Sequence, residues 1–136
     1  AYFDHDPQWV IEADWEILSP PLSMEVPNVS GDLKRVEVGH RAVFSVGGEQ
    51  VSLLPMAVSD TEVFFVFRDR TSGRETYGAG RFLKVPAPAG GKIRLDFNRA
   101  YNPPCAFTPF ATCPLPPPEN WLPFPVIAGE KKWLPQ

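Results

Sequence analysis

An alternation of apolar and polar positions dominates the first hundred residues and predicts strands rather than helices. Within residues 8–17, every second side chain is apolar or aromatic. The positions on this face are Trp9, Ile11, Ala13, Trp15 and Ile17. A period of two is the period of a half-buried strand, so we expect this face to lie on the core.

Further short segments of this kind follow, separated by residues that favour turns. The strands expected after the first are residues 23–29, 33–38, 41–46, 51–55, 61–68, 75–85, 92–97 and 126–128. Gly39-His40 and Gly47-Gly48 are expected to be two-residue hairpin loops, because glycine adopts the positive φ that such loops need. Residues 63–67 are apolar on both faces and are expected to form a central, buried strand. The prediction is an all-β fold, an antiparallel barrel or sandwich of about eight short strands.

Residues 98–125 depart from this pattern because they are rich in proline. Nine of the chain's 17 prolines lie between positions 103 and 125. Aromatic, aliphatic and cysteine residues are interleaved with them, whereas disordered proline tracts contain few aromatics. We therefore expect an ordered coil that covers one side of the sheet. The chain is then one domain, with a strand core at 1–97, a proline-rich cover at 98–125, and a final strand and tail at 126–136.

Composition and charge argue against several classes of function. The formal net charge is −3 at pH 7, which argues against nucleic-acid binding because such proteins usually carry a basic excess. No apolar run approaches the roughly 18 residues that a transmembrane helix needs, and the first residues show no signal peptide. We expect the chain to be the C-terminal part of a longer protein, and its compartment stays unassigned.

Three runs of the sequence resemble the signatures of a known family. They are residues 71–83, 96–120 and 128–131. They are similar to the bacterial domain of unknown function family 1684, and the resemblance extends over the whole chain. It implies an N-terminal part of the same protein as a partner of this chain. It implies no activity, substrate or cofactor.

Arg81 is the residue most suited to a binding site. It follows Gly78 and Gly80 on an expected strand, and an arginine in apolar surroundings needs a carboxylate partner. The candidate partners are Asp96, Glu119 and Glu130. One interpretation is a buried ion pair that fixes the cover to the sheet. The other is a clamp for a small anionic ligand, a carboxylate or a phosphate.

The expected polar site collects side chains with specific hydrogen-bonding geometry near the cover. Its candidate members are Arg81, Asp96, Asn98, Tyr101, Asn102, Glu119 and Asn120. Asparagine and aspartate also tie coil backbone to itself. These side chains therefore have either a structural or a ligand-binding role.

Cys105 and Cys113 are eight residues apart and are interpreted either as a disulfide or as two buried thiols. A structural zinc site needs about four ligands, and only the distant His5 and His40 are available to complete one. We therefore expect no metal and no cofactor.

Three functions remain open on the sequence. The first is a binding or accessory module with a polar, anion-binding site under the cover. The second is a small hydrolase that uses carboxylates of the same site as acid and base. The third is a structural partner of an N-terminal domain. No catalytic residue is assigned.

Overall fold

A computed structural model describes residues 1–108 and 112–132 of the chain. Seven strands are formed within these residues. They are β1 (Val10–Pro27), β2 (Leu33–Val46), β3 (Glu49–Leu53), β4 (Ala57–Val58), β5 (Glu62–Phe67), β6 (Arg81–Pro86) and β7 (Lys92–Asp96). No helix in the described part of the chain is long and apolar enough to cross a membrane.

The strands form two antiparallel sheets. One has the order β3-β2-β1-β7 and the other the order β4-β5-β6. The fold is mostly β, with a curled antiparallel sheet that makes a half-barrel. The predicted all-β class is therefore confirmed. The described residues form seven strands, against about eight expected, and β1 and β2 are longer than expected.

β1 is one continuous strand of 18 residues, so the prediction of two separate strands at 8–17 and 23–29 is wrong. Its register against β2 shifts between Ile17 and Leu22. Buried positions are odd-numbered before the shift, as at Ala13, and even-numbered after it, as at Met24. The shift is a bulge. After it the even-numbered residues face the core in place of the odd-numbered ones, and the strand continues. Ile17, expected to face the core, lies at the last paired position before the shift and is 76% exposed.

β2 runs without interruption through Gly39-His40, so the predicted hairpin loop there is wrong. Gly39 does not adopt the positive φ that a two-residue hairpin needs, and His40 stacks on Trp15 with ring centroids 5.0 Å apart. The second predicted loop is confirmed. Gly47 and Gly48 have φ of 59° and 82° and connect β2 to β3.

β5 is the central strand of the core, as predicted. Val63, Phe65 and Phe67 are fully buried in the main cluster, and Val66 on the opposite face packs into a second cluster. β6 begins only at Arg81, so the prediction of a strand from residue 75 is wrong. Gly80 explains this start, because its φ is +96° and a Cβ there would lie 2.5 Å from the carbonyl oxygen of Phe67.

The described residues of the proline-rich cover form none of the seven strands. The cover starts within the 3₁₀ helix Phe97–Arg99 and includes two more, Pro104–Ala106 and Pro118–Asn120. Leu122 lies in the main core, and Cys113 packs with Val66 and Phe82. Residues 126–128 are coil rather than the expected final strand, and residues 133–136 of the expected tail lie outside the described residues.

Candidate functional site

Arg81 is buried at the junction of the sheet and the last residues of the chain that the structure describes. Its side chain is 1% exposed. The guanidinium donates hydrogen bonds to the carbonyl oxygens of Val126, Ala128 and Glu130. Asp69 is its carboxylate partner, with Nη2 and Oδ2 3.8 Å apart. The expectation that Asp96, Glu119 or Glu130 is the ion-pair partner of Arg81 is therefore wrong.

The charge of Arg81 is balanced by its surroundings. Burial lowers the pKa of Arg81, and the negative charges of Asp69 and Glu130 oppose that shift. Because three carbonyls and one carboxylate occupy its guanidinium, Arg81 fixes residues 126–130 against the sheet. These contacts are structural, but they fix residues 126–130 and not the cover at 98–125 that the first interpretation named.

Asp69 is buried and is fully engaged in hydrogen bonds. Its carboxylate accepts from the hydroxyls of Thr71 (2.9 Å) and Ser72 (3.3 Å) and from the backbone N–H of Val126. It follows the end of β5, where alternate residues still point to opposite sides. Arg68 and Arg70 therefore lie on the other side from Asp69, toward solvent.

An open cavity of about 570 Å³ lies on that outer side. Its lining residues are Arg68, Asp69, Arg70, Ser72, Arg74, Trp121, Leu122 and Pro123, and we call it the arginine cleft. Asp69 supplies the carboxylate among these lining residues, and that carboxylate points toward Arg81. Within residues 1–108 and 112–132, no carboxylate forms an ion pair with Arg68, Arg70 or Arg74. The cleft therefore presents an excess of positive charge to solvent.

The far wall of the cleft comes from the cover, which pairs with the chain after β5. Arg68 and Trp121 form a parallel bridge. The N–H of Leu122 donates to the carbonyl of Arg68 (2.8 Å), and the N–H of Arg70 donates to the carbonyl of Phe124 (3.2 Å). The two walls are therefore joined by backbone hydrogen bonds.

Asn120 anchors this wall to the core. Its side chain is fully buried and makes three hydrogen bonds, accepting from the N–H of Leu54 and donating to the carbonyls of Leu54 and Val66. The distances are 2.8, 2.8 and 2.9 Å. All three partners are backbone groups, so Asn120 substitutes for ladder hydrogen bonds that the coil lacks.

Three side chains of the cleft have defined positions. Trp121 is 52% exposed, and its indole N–H donates to the carbonyl of Pro116 at 3.0 Å. The guanidinium carbon of Arg68 lies 4.7 Å from the centroid of the Trp121 ring. Arg70 donates from Nε to the carbonyl of Pro123 at 3.3 Å. These contacts hold Arg68 and Arg70 over the cleft.

The other residues predicted for a site lie in several different places. Asp96 accepts from the side chain of Asn98 (3.0 Å), which also donates to the carbonyl of Asp6 (2.9 Å). The N–H of Asn102 donates to the carboxylate of Glu130 (2.7 Å). Asp96 and Asn98 thus connect two coil segments at one place, and Asn102 connects two coil segments at another place.

Tyr101 and Glu119 are separate from both groups. Tyr101 lines a second cavity of about 390 Å³ with Glu62, Lys84 and Arg99 among its other lining residues. Burial and the nearby charge of Glu62 raise the pKa of Tyr101. Glu119 is exposed on its short helix. The predicted polar residues therefore do not converge on one pocket.

Cys105 and Cys113 form a disulfide, with Cα atoms 6.3 Å apart. This bond closes the part of the cover that contains residues 109–111, which lie outside the described residues. Within the described part of the chain, no group of three or more His, Cys, Asp or Glu residues is placed to hold a metal ion.

The fold is a small β half-barrel, and the arginine cleft is a cationic part of its surface. The chain belongs to the family described as protein of unknown function DUF1684, whose profile matches residues 1–131. It is similar to an uncharacterized protein of Haloarcula marismortui solved by solution NMR, with 35% identity and a TM-score of 0.75. The match covers 96% of this chain and 75% of that one. No curated protein matches.

Proposed function

We propose that this protein binds a small anionic molecule in the arginine cleft. The observation that carries the proposal is the set of three arginines, Arg68, Arg70 and Arg74, that line one cavity without a carboxylate partner among the described residues. Arginine recognises carboxylates and phosphates through two parallel N–H groups. An anion is therefore the ligand chemistry that this cleft fits best.

The local charge contrasts with the charge of the whole chain, which is −3. Like charges that share a cavity repel each other, and a bound anion relieves that repulsion. Asp69 does not supply the missing negative charge, because its carboxylate is buried and shared among Arg81, Thr71 and Val126. The cleft is thus cationic in the unliganded protein.

The site is also organised before any ligand arrives. The turn after β5 is held by hydrogen bonds from the N–H of Ser72 to the carbonyl of Asp69 (3.1 Å) and from the N–H of Arg74 to the carbonyl of Thr71 (2.9 Å). The opposite wall is fixed through Asn120. A preorganised site loses less conformational entropy when it binds. Asn120 thus acts as a positioning residue of the cleft wall.

Binding is favoured over hydrolysis. A hydrolase with a general acid and a general base needs two groups that can reach the substrate. Asp69, the carboxylate of the cleft lining, already accepts hydrogen bonds from Thr71 and Val126. Asp96 and Glu130 face their own backbone and side-chain partners elsewhere.

Isothermal titration calorimetry with inorganic pyrophosphate tests this proposal. The wild-type protein is compared with the double variant Arg70→Ala/Arg74→Ala and with the control Arg35→Ala/Arg94→Ala, which loses the same charge outside the cleft. We expect the cleft variant to bind at least about tenfold more weakly, which is about 1.4 kcal/mol, and the control to bind as the wild type does. Equal weakening in both variants, or no binding to the wild type, would contradict the proposal.

A further inference from the structure

We infer that the ligand of the arginine cleft joins a planar aromatic ring to a phosphate group, as in a mononucleotide. The inference rests on the proposed function, because it concerns the same cavity. It adds a requirement that a simple anion does not meet. Three properties of the cleft support it, namely its volume, its exposed tryptophan and the positions of its cations.

The volume of the cleft exceeds what an inorganic anion needs. The cavity measures about 570 Å³, within the range of roughly 300–1,000 Å³ that is typical of small-molecule sites. A water molecule takes up about 30 Å³ of the liquid, so a single phosphate ion would leave most of the cleft to solvent. The ligand therefore has a substantial part besides its anionic group.

Trp121 indicates the chemistry of that second part. Large aromatic side chains usually bury most of their surface, yet Trp121 is 52% exposed on the wall of the cleft. Its position is fixed by the hydrogen bond from its indole N–H to the carbonyl of Pro116 (3.0 Å). A fixed and exposed indole offers a surface on which a planar ring can stack.

Arg68 lies over one face of the Trp121 ring, and the exposed part of the indole remains open to a ligand. Its guanidinium lies 4.7 Å from the centroid of the Trp121 ring, and a guanidinium plane also stacks on aromatic rings. Leu122 and Pro123 add apolar lining next to Trp121. A ligand ring in this part of the cleft would meet aromatic, apolar and guanidinium surface together.

The remaining cations are available for the phosphate. Arg70 and Arg74 line the same cavity from the turn after β5. Arg70 uses its Nε to hold the carbonyl of Pro123, so its terminal N–H groups can reach a ligand. Two guanidinium groups suit the double negative charge of a phosphate monoester. Ring and phosphate thus have separate subsites within one cavity.

Calorimetric titration with three probes tests the inference. The probes are adenosine 5′-monophosphate, ribose 5-phosphate, which lacks the aromatic ring, and phenyl phosphate, which lacks the ribose. Each is titrated into the wild type, Trp121→Leu and Trp121→Phe, after circular dichroism shows that the variants are folded. Leucine removes the aromatic ring at this position, and phenylalanine retains one.

We expect adenosine 5′-monophosphate to bind at least about tenfold more tightly than ribose 5-phosphate, since stacking on an aromatic side chain contributes about that much per base. Trp121→Leu should abolish this preference, and Trp121→Phe should retain most of it. Phenyl phosphate that binds as well as the nucleotide would support the ring and phosphate chemistry with an aryl phosphate as its source. Weaker binding of phenyl phosphate would support a nucleotide.

Equal binding of adenosine 5′-monophosphate and ribose 5-phosphate, or a preference that survives in Trp121→Leu, would overturn the inference. In that case phosphate binding that still depends on Arg70 and Arg74 would leave the proposed function standing. Failure of all three probes and of pyrophosphate to bind the wild type would overturn both.

Discussion

Arg81 and the arginine cleft lie on opposite sides of Asp69. The arginines of these two regions have different surroundings and different roles. Arg81 is 1% exposed, and three carbonyls and the Asp69 carboxylate surround its guanidinium. The three arginines of the cleft border solvent and share no carboxylate partner in the described chain. An arginine whose guanidinium is fully hydrogen-bonded within its own protein stabilises the fold. An arginine whose guanidinium is not fully used in this way is available to a ligand.

Asp69 separates the two regions because successive side chains of an extended chain point to opposite sides. It points inward after β5, so its charge belongs to Arg81, while its two neighbours point outward. Substitutions on the inner side should therefore change stability, and substitutions on the outer side should change binding.

The substitution Arg81→Met should have the largest effect on stability. It leaves the Asp69 carboxylate buried without its cation and leaves the carbonyls of Val126 and Ala128 without a donor. Breaking a buried ion pair in this way costs about 3–5 kcal/mol of unfolding free energy. Urea denaturation followed by circular dichroism measures the change.

The same substitution in the cleft, Arg74→Met, is the matched control for Arg81→Met. Arg74 is exposed, so its variant should unfold within about 0.5 kcal/mol of the wild type. Similar losses in the two variants would show that the distinction between the buried and the open arginines is wrong.

The substitution Asn120→Ala should destabilise the wall of the cleft from the inside. Three backbone groups, two on Leu54 and one on Val66, lose their partner in a fully buried setting. We expect a loss of about 2–4 kcal/mol, measured by thermal and urea unfolding. Glu119→Ala, the exposed neighbour, is the control. A loss below that of the control would contradict the anchoring role of Asn120.

The substitution Gly80→Ala tests the close approach that starts β6 next to Arg81. An alanine Cβ would lie 2.5 Å from the carbonyl of Phe67 at a φ of +96°, so we expect a loss of about 1–3 kcal/mol. Gly39→Ala is the control, because a Cβ there has no neighbour within 4 Å and Gly39 has no positive φ. Equal stability of the two variants in urea would refute this account of Gly80.

The general fold could be predicted from the sequence because a period of two is a strong local signal. The same signal, followed further, would have corrected one error. Even-numbered positions from Val36 to Val46 are apolar except His40, so the pattern continues through Gly39-His40 as one strand. In β1 the apolar positions change parity, a pattern that fits two strands as well as one bulged strand, and the structure shows one.

The site was harder to predict because it depends on contacts between distant segments. Arg68 ends the strand expected at 61–68, and Arg70 and Arg74 lie between it and the strand expected at 75–85. Their cleft forms when residues 120–124 pair with them, about 50 positions away in the chain. Likewise, the choice of Asp69 over Asp96 as the partner of Arg81 depends on which residues point inward after β5. The alternation of Arg68, Asp69 and Arg70 is the local signal that was available.

The most direct measurement compares both regions in one sample. Two-dimensional ¹H–¹⁵N spectra record the side-chain Nε–Hε groups of all arginines while pyrophosphate is added. We expect saturable shifts for the signals of Arg68, Arg70 and Arg74, with Arg81 and the distant Arg35 nearly unchanged. Unmoved cleft signals, or a shift of Arg35 as large as theirs, would show that the cleft is not the anion site.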